Sequence, residues 1–88
     1  MRKEFKVKEW FIDKEQDKAS RYNIFIDYAR RTDDVCRQPV REDGCVYVLA
    51  DEILGESEKA LHITLASGEV LGSTKGWTLW IPKSVVMN

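Results

Sequence analysis

Cys36, Cys45 and His62 are the side chains that could make a nucleophilic site. A thiolate is activated by a neighbouring imidazole, and the imidazole in turn needs a third group to orient it. No Asn or Asp is placed by any motif to do so, and His62 falls on the polar side of a strand-like run. No catalytic residue is expected, and the chain is read as a non-enzyme. Cys36 and Cys45 are separated by eight residues and His62 lies well beyond them. That spacing matches none of the short knuckles of structural zinc, so no metal and no cofactor are expected. Carboxylates adjoin at Asp33-Asp34, Glu42-Asp43 and Asp51-Glu52. Neighbours on a strand point to opposite faces, so none of these is a local acid–base pair. Asp51-Glu52 interrupts an apolar run, which reads as a bulge or as charge protecting a strand edge. Gly68, Gly72 and Gly76 lack the Gly-Lys-Ser/Thr continuation of a phosphate-cradling loop.

Binding chemistry is better represented. Lys6 and Lys8 share a strand face, Trp10 follows at the same parity, and Arg30, Arg31 and Arg37 follow the next strand candidate. Small β barrels bind single strands by combining such cations with aromatic stacking. Glu4 shares the parity of the lysines and weakens the patch. Trp77 and Trp80 are three apart, which puts them on opposite faces of one strand. Trp77, beside the glycine-rich stretch, is taken as an interface anchor, and Trp80, before Ile81-Pro82, as core.

The elements that must position these groups show mostly a period of two. Residues 4–7 alternate, with Phe5 and Val7 on one face, and the phase slips at Glu9-Trp10. Residues 45–54 form a longer strand that bends, with Gly55 marking a bulge or bend. Residues 59–66 put Leu61, Ile63 and Leu65 on one face, with His62 and Thr64 on the other. Residues 76–81 are another strand, stopped by Pro82, which cannot donate to a ladder. A 3₁₀ turn and a last short strand follow it. Residues 21–29 admit two readings. A strand has Tyr22, Ile24, Ile26 and Tyr28 in alternation. A helix over about 20–31 has Ser20 as N-cap, with Tyr22, Phe25, Ile26 and Ala29 on one face. The helix leaves Ile24 on the wrong side and the composition favours a sheet, so the strand is preferred. Residues 13–20 then become the polar connection of a hairpin. Asp43-Gly44 reads as a turn and residues 67–76 as a glycine-studded loop.

Eighty-eight residues make one domain, and a net charge of −1 excludes a globally basic nucleic-acid binder. No apolar run approaches the ~20 residues of a membrane span, and no apolar core follows the basic start Met1-Arg2-Lys3. A cytoplasmic setting with both cysteines as free thiols is therefore expected. Five β segments in so short a chain suggest a small antiparallel barrel, because closure removes edges that nothing else could cover.

Trp80-Ile81-Pro82-Lys83-Ser84-Val85-Val86 resembles the end of an SH3-like barrel, where a strand runs into a Pro-started 3₁₀ turn and a short apolar strand. Glu56-Ser57-Glu58-Lys59-Ala60-Leu61 followed by Trp80-Ile81-Pro82-Lys83-Ser84 is also similar to a pattern of small phage and mobile-element proteins, most of them uncharacterised. That resemblance covers residues 46–86, and the chain departs from it at residues 67–76, where the pattern has a tight hairpin. It implies a phage or bacterial cytoplasm and no particular activity.

The expectation is a five-stranded SH3-like barrel, or strongly bent sheet, serving as a binding module. A protein partner comes first, held through Trp77, Trp10, Asp51 and Glu52, with inhibition of a host enzyme or defence complex as one version. The alternative is a nucleic-acid-binding accessory protein using Lys6, Lys8, Trp10, Arg30 and Arg31. An uncovered sheet edge also admits a homodimer.

Overall fold

The computed structural model describes residues 2–33, 35, 38–66 and 76–87. Four strands form one antiparallel sheet in sequence order: β1 (Lys3–Lys8), β2 (Cys45–Glu56), β3 (Ala60–Leu65) and β4 (Trp77–Pro82). One helix, α1 (Glu9–Ser20), follows β1 directly, and a 3₁₀ helix, Lys83–Val85, follows β4. The sheet is open and has four strands, so the expected five-stranded closed barrel is not formed.

The alternation read in the sequence sets the layers. Phe5 and Val7 of β1 lie opposite Val48 and Val46 of β2, and Leu61, Ile63 and Leu65 of β3 lie opposite Ile81, Leu79 and Trp77 of β4. These residues make one apolar face, which Ile12 of α1 and Val85 of the 3₁₀ helix join. Ile12, Val7, Ile63 and Ile81 are fully buried. Burial of each such side chain stabilises the fold by roughly 1.5–3 kcal/mol.

β2 is long because it serves two partners. Residues 45–50 pair with β1, and residues 50–56 pair with β3. The register shifts at Asp51 and again at Leu54, so the strand bends twice where Asp51-Glu52 and Gly55 suggested a bulge. The turn before it is of the Asp-Gly type. Asp43 (φ 53°) and Gly44 (φ 71°) are both left-handed, and Glu42 and Cys45 exchange two backbone hydrogen bonds across them. Cys45 is a buried free thiol. Cys36, and all of the expected loop except Gly76, lie outside the described residues.

The first half departs most from expectation. Residues 13–20 belong to α1 and are not a hairpin connection. The face that α1 buries is Ile12, Glu15 and Ala19, so its core stripe carries a carboxylate and lacks the apolar periodicity that marks a helix. Asn23, at φ 59°, turns the chain out of the helix. Residues 24–29 are neither the expected strand nor the alternative helix. Ile24 and Ile26 are buried in alternation, but the segment forms only isolated bridges, at Ile26 and between Tyr28 and Val48, and no continuous strand. The segment's backbone is satisfied piecemeal: Ala29 N donates to Tyr47 O (2.8 Å), and Asp27 N donates to Ala66 O (2.8 Å). Gln16 of α1 completes it like a neighbouring strand. Its amide nitrogen donates to Ile24 O (3.1 Å) and its Oε1 accepts from Ile26 N (2.8 Å).

At the other end, the 3₁₀ turn expected after Pro82 is formed. Val86 then bridges Val7, and Met87 N donates to Lys6 O (2.8 Å). This is one bridge and not a fifth strand, so β1 and β4 remain the two edges of the sheet.

Candidate functional site

The two tryptophans of β4 stand on opposite faces as their spacing requires, with exposures opposite to those expected. Trp77 is half-buried against the core, its indole N–H donating to Glu15 Oε1 (3.3 Å) and its ring 5.9 Å from that of Tyr22. Trp80 is 53% exposed. The reversal comes from α1. The helix covers the face that carries Trp77, Leu79 and Ile81, which leaves Trp80 on the outward one. Glu15, nearly buried, is satisfied by the Trp77 indole and by Lys18 Nζ (3.2 Å).

Trp80 is not loose in solvent. It lies directly opposite His62 in the β3–β4 register, and the two rings stack with centroids 4.5 Å apart and planes 8° from parallel. On the other side of β3, His62 lies opposite Gly55 of β2. Gly55, His62 and Trp80 thus form one row across three strands of the outward face. The next row is Glu52, Thr64 and Thr78, in which the two threonine hydroxyls hydrogen-bond at 3.1 Å. Exposed Ile53 and Leu54 lie between the rows along β2. His62 therefore does sit on the polar face of its strand, with an indole as its neighbour.

The remaining residues singled out from the sequence are scattered. Asp51 sits in the first β2 bulge and is paired with Arg2 (2.7 Å). Glu52 is exposed and has no ion pair among the described residues. Trp10 is 61% exposed on α1, edge-on to Phe11 at 6.0 Å. It is therefore not on a strand face with Lys6 and Lys8, because the chain leaves β1 at Lys8 and turns helical at Glu9. Three of the four cations of the expected basic patch face carboxylates, and Lys8 has no ion pair among the described residues. Lys6 lies 3.7 Å from Asp43, Arg30 lies 2.9 Å from Glu4, and Arg31 lies 3.9 Å from Asp27. Arg30 also packs its guanidinium 3.9 Å above the Tyr47 ring, which explains how a tyrosine opposite Lys6 on the outward side of β2 is buried.

Lys3 and Phe5 of β1, Glu56 of β2, Leu61 of β3, and Lys83 and Val86 after β4 line a groove of about 380 Å³. Its main charges neutralise each other. Lys83 donates to Glu56, and this hydrogen bond, with the Lys83 and Lys3 charges, holds the Glu56 carboxyl below its ordinary range. Among the described residues no three His, Cys, Asp or Glu side chains converge as metal ligands. No described helix is long and apolar enough to cross a membrane.

Sequence reasoning missed the row as a unit. Read singly, His62 is a polar-face histidine, Trp80 a core residue and Gly55 a bulge or bend. The parities of β3 and β4 were visible, but their mutual register depends on how residues 66–76 connect them, which alternation does not encode. Searches of protein-family models, of curated protein sequences and of solved structures return no significant match to this chain.

Proposed function

We propose that this chain is a non-enzymatic binding module that acts on a protein partner through the outward face of β3 and β4, with Trp80 as its anchor. The observation that carries this reading is the Trp80–His62 stack, an indole that is 53% exposed yet held in one orientation by a parallel ring. Trp is enriched among the few residues that dominate interface energetics, and a ring already fixed loses little freedom on binding. Support for a protein over a nucleic acid comes from the cations. Lys6, Arg30 and Arg31 are paired with carboxylates, which leaves Lys8 alone of the four, and counterion release from phosphates needs several available cations. The resemblance of residues 56–61 and 80–84 to phage and mobile-element proteins favours a host enzyme or defence complex as the target.

The test is affinity capture from native lysate with nuclease, using the wild-type protein and Trp80→Ala. The expected result is a stoichiometric protein that survives nuclease and moderate salt and is lost with Trp80→Ala. Recovery that vanishes with nuclease, or that Trp80→Ala leaves unchanged, overturns the reading.

A further inference from the structure

The row that holds Trp80 has an unfilled place at its other end. The His62 and Trp80 centroids are 4.5 Å apart, close to the ~4.8 Å between neighbouring strands. The two rings therefore stand on edge on the sheet, with their faces turned across the strands. One face of His62 is covered by Trp80, and the other looks toward β2. The residue opposite on β2 is Gly55, which has no side chain to meet it. A Cβ built there would come no closer than 3.9 Å to His62, so the glycine is not required by crowding, and its φ lies outside the left-handed region. The result is a gap one side chain wide, walled by an imidazole that is backed by an indole.

The charge flanking this gap along residues 51–62 is mainly acidic, with Lys59 as the one cation of that stretch. Glu52 belongs to the adjacent row of the same face, about 7 Å along the strand. Its neighbours Asp51 and Glu56 are taken by Arg2 and Lys83, whereas Glu52 and Glu58 have no ion-pair partner among the described residues. The unpaired Glu52 carboxylate favours a cation over a phosphate or carboxylate here. A guanidinium is planar, stacks on aromatic faces and bonds a carboxylate through its edge at the same time.

On the strength of the protein-binding reading above, we propose that the gap between Gly55 and His62 seats an arginine side chain of the partner, stacked on the His62–Trp80 pair and paired with Glu52. The arginine continues the row across the sheet, and Glu52 supplies the countercharge that the row itself lacks.

The experiment titrates the full chain with an acetylated, amidated arginine octapeptide, using citrulline and glutamate octapeptides of equal length as controls. The readouts are the Trp80 indole N–H and His62 ring resonances, together with Kd. Saturable shifts of both residues are expected with the arginine peptide, and none with the glutamate peptide. The Kd should rise at least tenfold for Trp80→Ala and several-fold for Glu52→Gln, and citrulline should bind at least tenfold more weakly than arginine. Equal binding of citrulline, or a Kd unmoved by Glu52→Gln and Trp80→Ala, overturns the assignment. So does concentration-dependent self-association that Trp80→Ala abolishes, which would give the shelf to a second copy. Should Trp80→Ala abolish capture of a protein from lysate while the arginine peptide leaves Trp80 and His62 unshifted, the arginine seat falls and the protein-binding reading stands. Should Trp80→Ala leave capture intact, that reading falls first.

Discussion

Gly55→Thr should move stability and binding in opposite directions. The backbone at Gly55 is in a region open to any residue, and a Cβ would sit 3.9 Å from His62 Cβ, an ordinary contact. Threonine therefore enters without strain. Removing glycine from the unfolded chain contributes about 0.4–1 kcal/mol. A β-branched residue opposite His62 adds a cross-strand pair of ~0.2–1 kcal/mol. The preceding bulge at Leu54 limits how well the new side chain can pack, so a net gain of about 1 kcal/mol is expected. An unfolding entropy of about 2.1 cal/mol/K per residue makes that gain worth a rise in Tm of roughly 5 °C for a chain of this length. The threonine γ atoms meanwhile occupy the gap beside His62. Arginine-peptide affinity should fall at least tenfold, while Gly55→Ala, which adds only the Cβ, should lose less. Thermal unfolding followed by circular dichroism gives the first quantity, and titration calorimetry gives the second. A fall in Tm would show that the glycine serves the bulge and not an open seat. A rise in Tm with peptide affinity intact would show that nothing binds beside His62.

Gly76 is the opposite case. A Cβ there would meet Thr64 Cγ2 at 2.6 Å and the Leu65 carbonyl oxygen at 2.8 Å, so Gly76→Ala should cost about 1–3 kcal/mol in urea unfolding. Gln16→Ala strips the buried Ile26 N–H and the Ile24 carbonyl of their partner, and should cost about 2 kcal/mol, measured the same way. A double-mutant cycle of Glu15→Gln with Trp77→Phe should return a coupling of about 1 kcal/mol, since the indole N–H donates to a nearly buried carboxylate. Glu56 should titrate below the ordinary value of 4.5, because the Lys83 hydrogen bond and charge favour its ionised form. The contribution of that pair is present above 4.5 and is lost as pH falls through the lowered value. In Lys83→Met the Glu56 carboxyl resonance should titrate back at about the ordinary value.

What was legible in the sequence, and what was not, follows from the range of the physics involved. Alternation is local, so β2, β3 and β4 could be read from 45–54, 59–66 and 76–81 within a residue or two. The Asp43-Gly44 turn and the 3₁₀ helix after Pro82 were likewise written in single residues with special φ or a missing N–H. The helix was hidden because Glu15 and Gln16 occupy the middle of its inward stripe. Each is polar for a tertiary reason, Glu15 to receive the Trp77 indole and Gln16 to pair with the backbone of 24–26. A buried polar residue with a partner distant in sequence looks the same on paper as an exposed one.

That single omission propagated into the site. Period two states that Trp77 and Trp80 oppose each other, but not which of them faces a covering layer. If 13–20 is a loop, no layer chooses between the faces, and Trp77 is assigned only by its proximity to the glycines. Once α1 is present, the choice is forced. Ile12 and Glu15 need the face that carries Leu79 and Ile81, Trp77 shares it, and its N–H finds the Glu15 carboxylate there. Trp80 is then outward by parity, opposite His62 by register, with Gly55 completing the row. The exposed indole thus follows from the helix on the far side of the sheet. Substitutions that loosen α1, such as Ile12→Ala, should accordingly disturb the Trp77 resonances well before those of the His62–Trp80 stack, which is held by β-pairing alone.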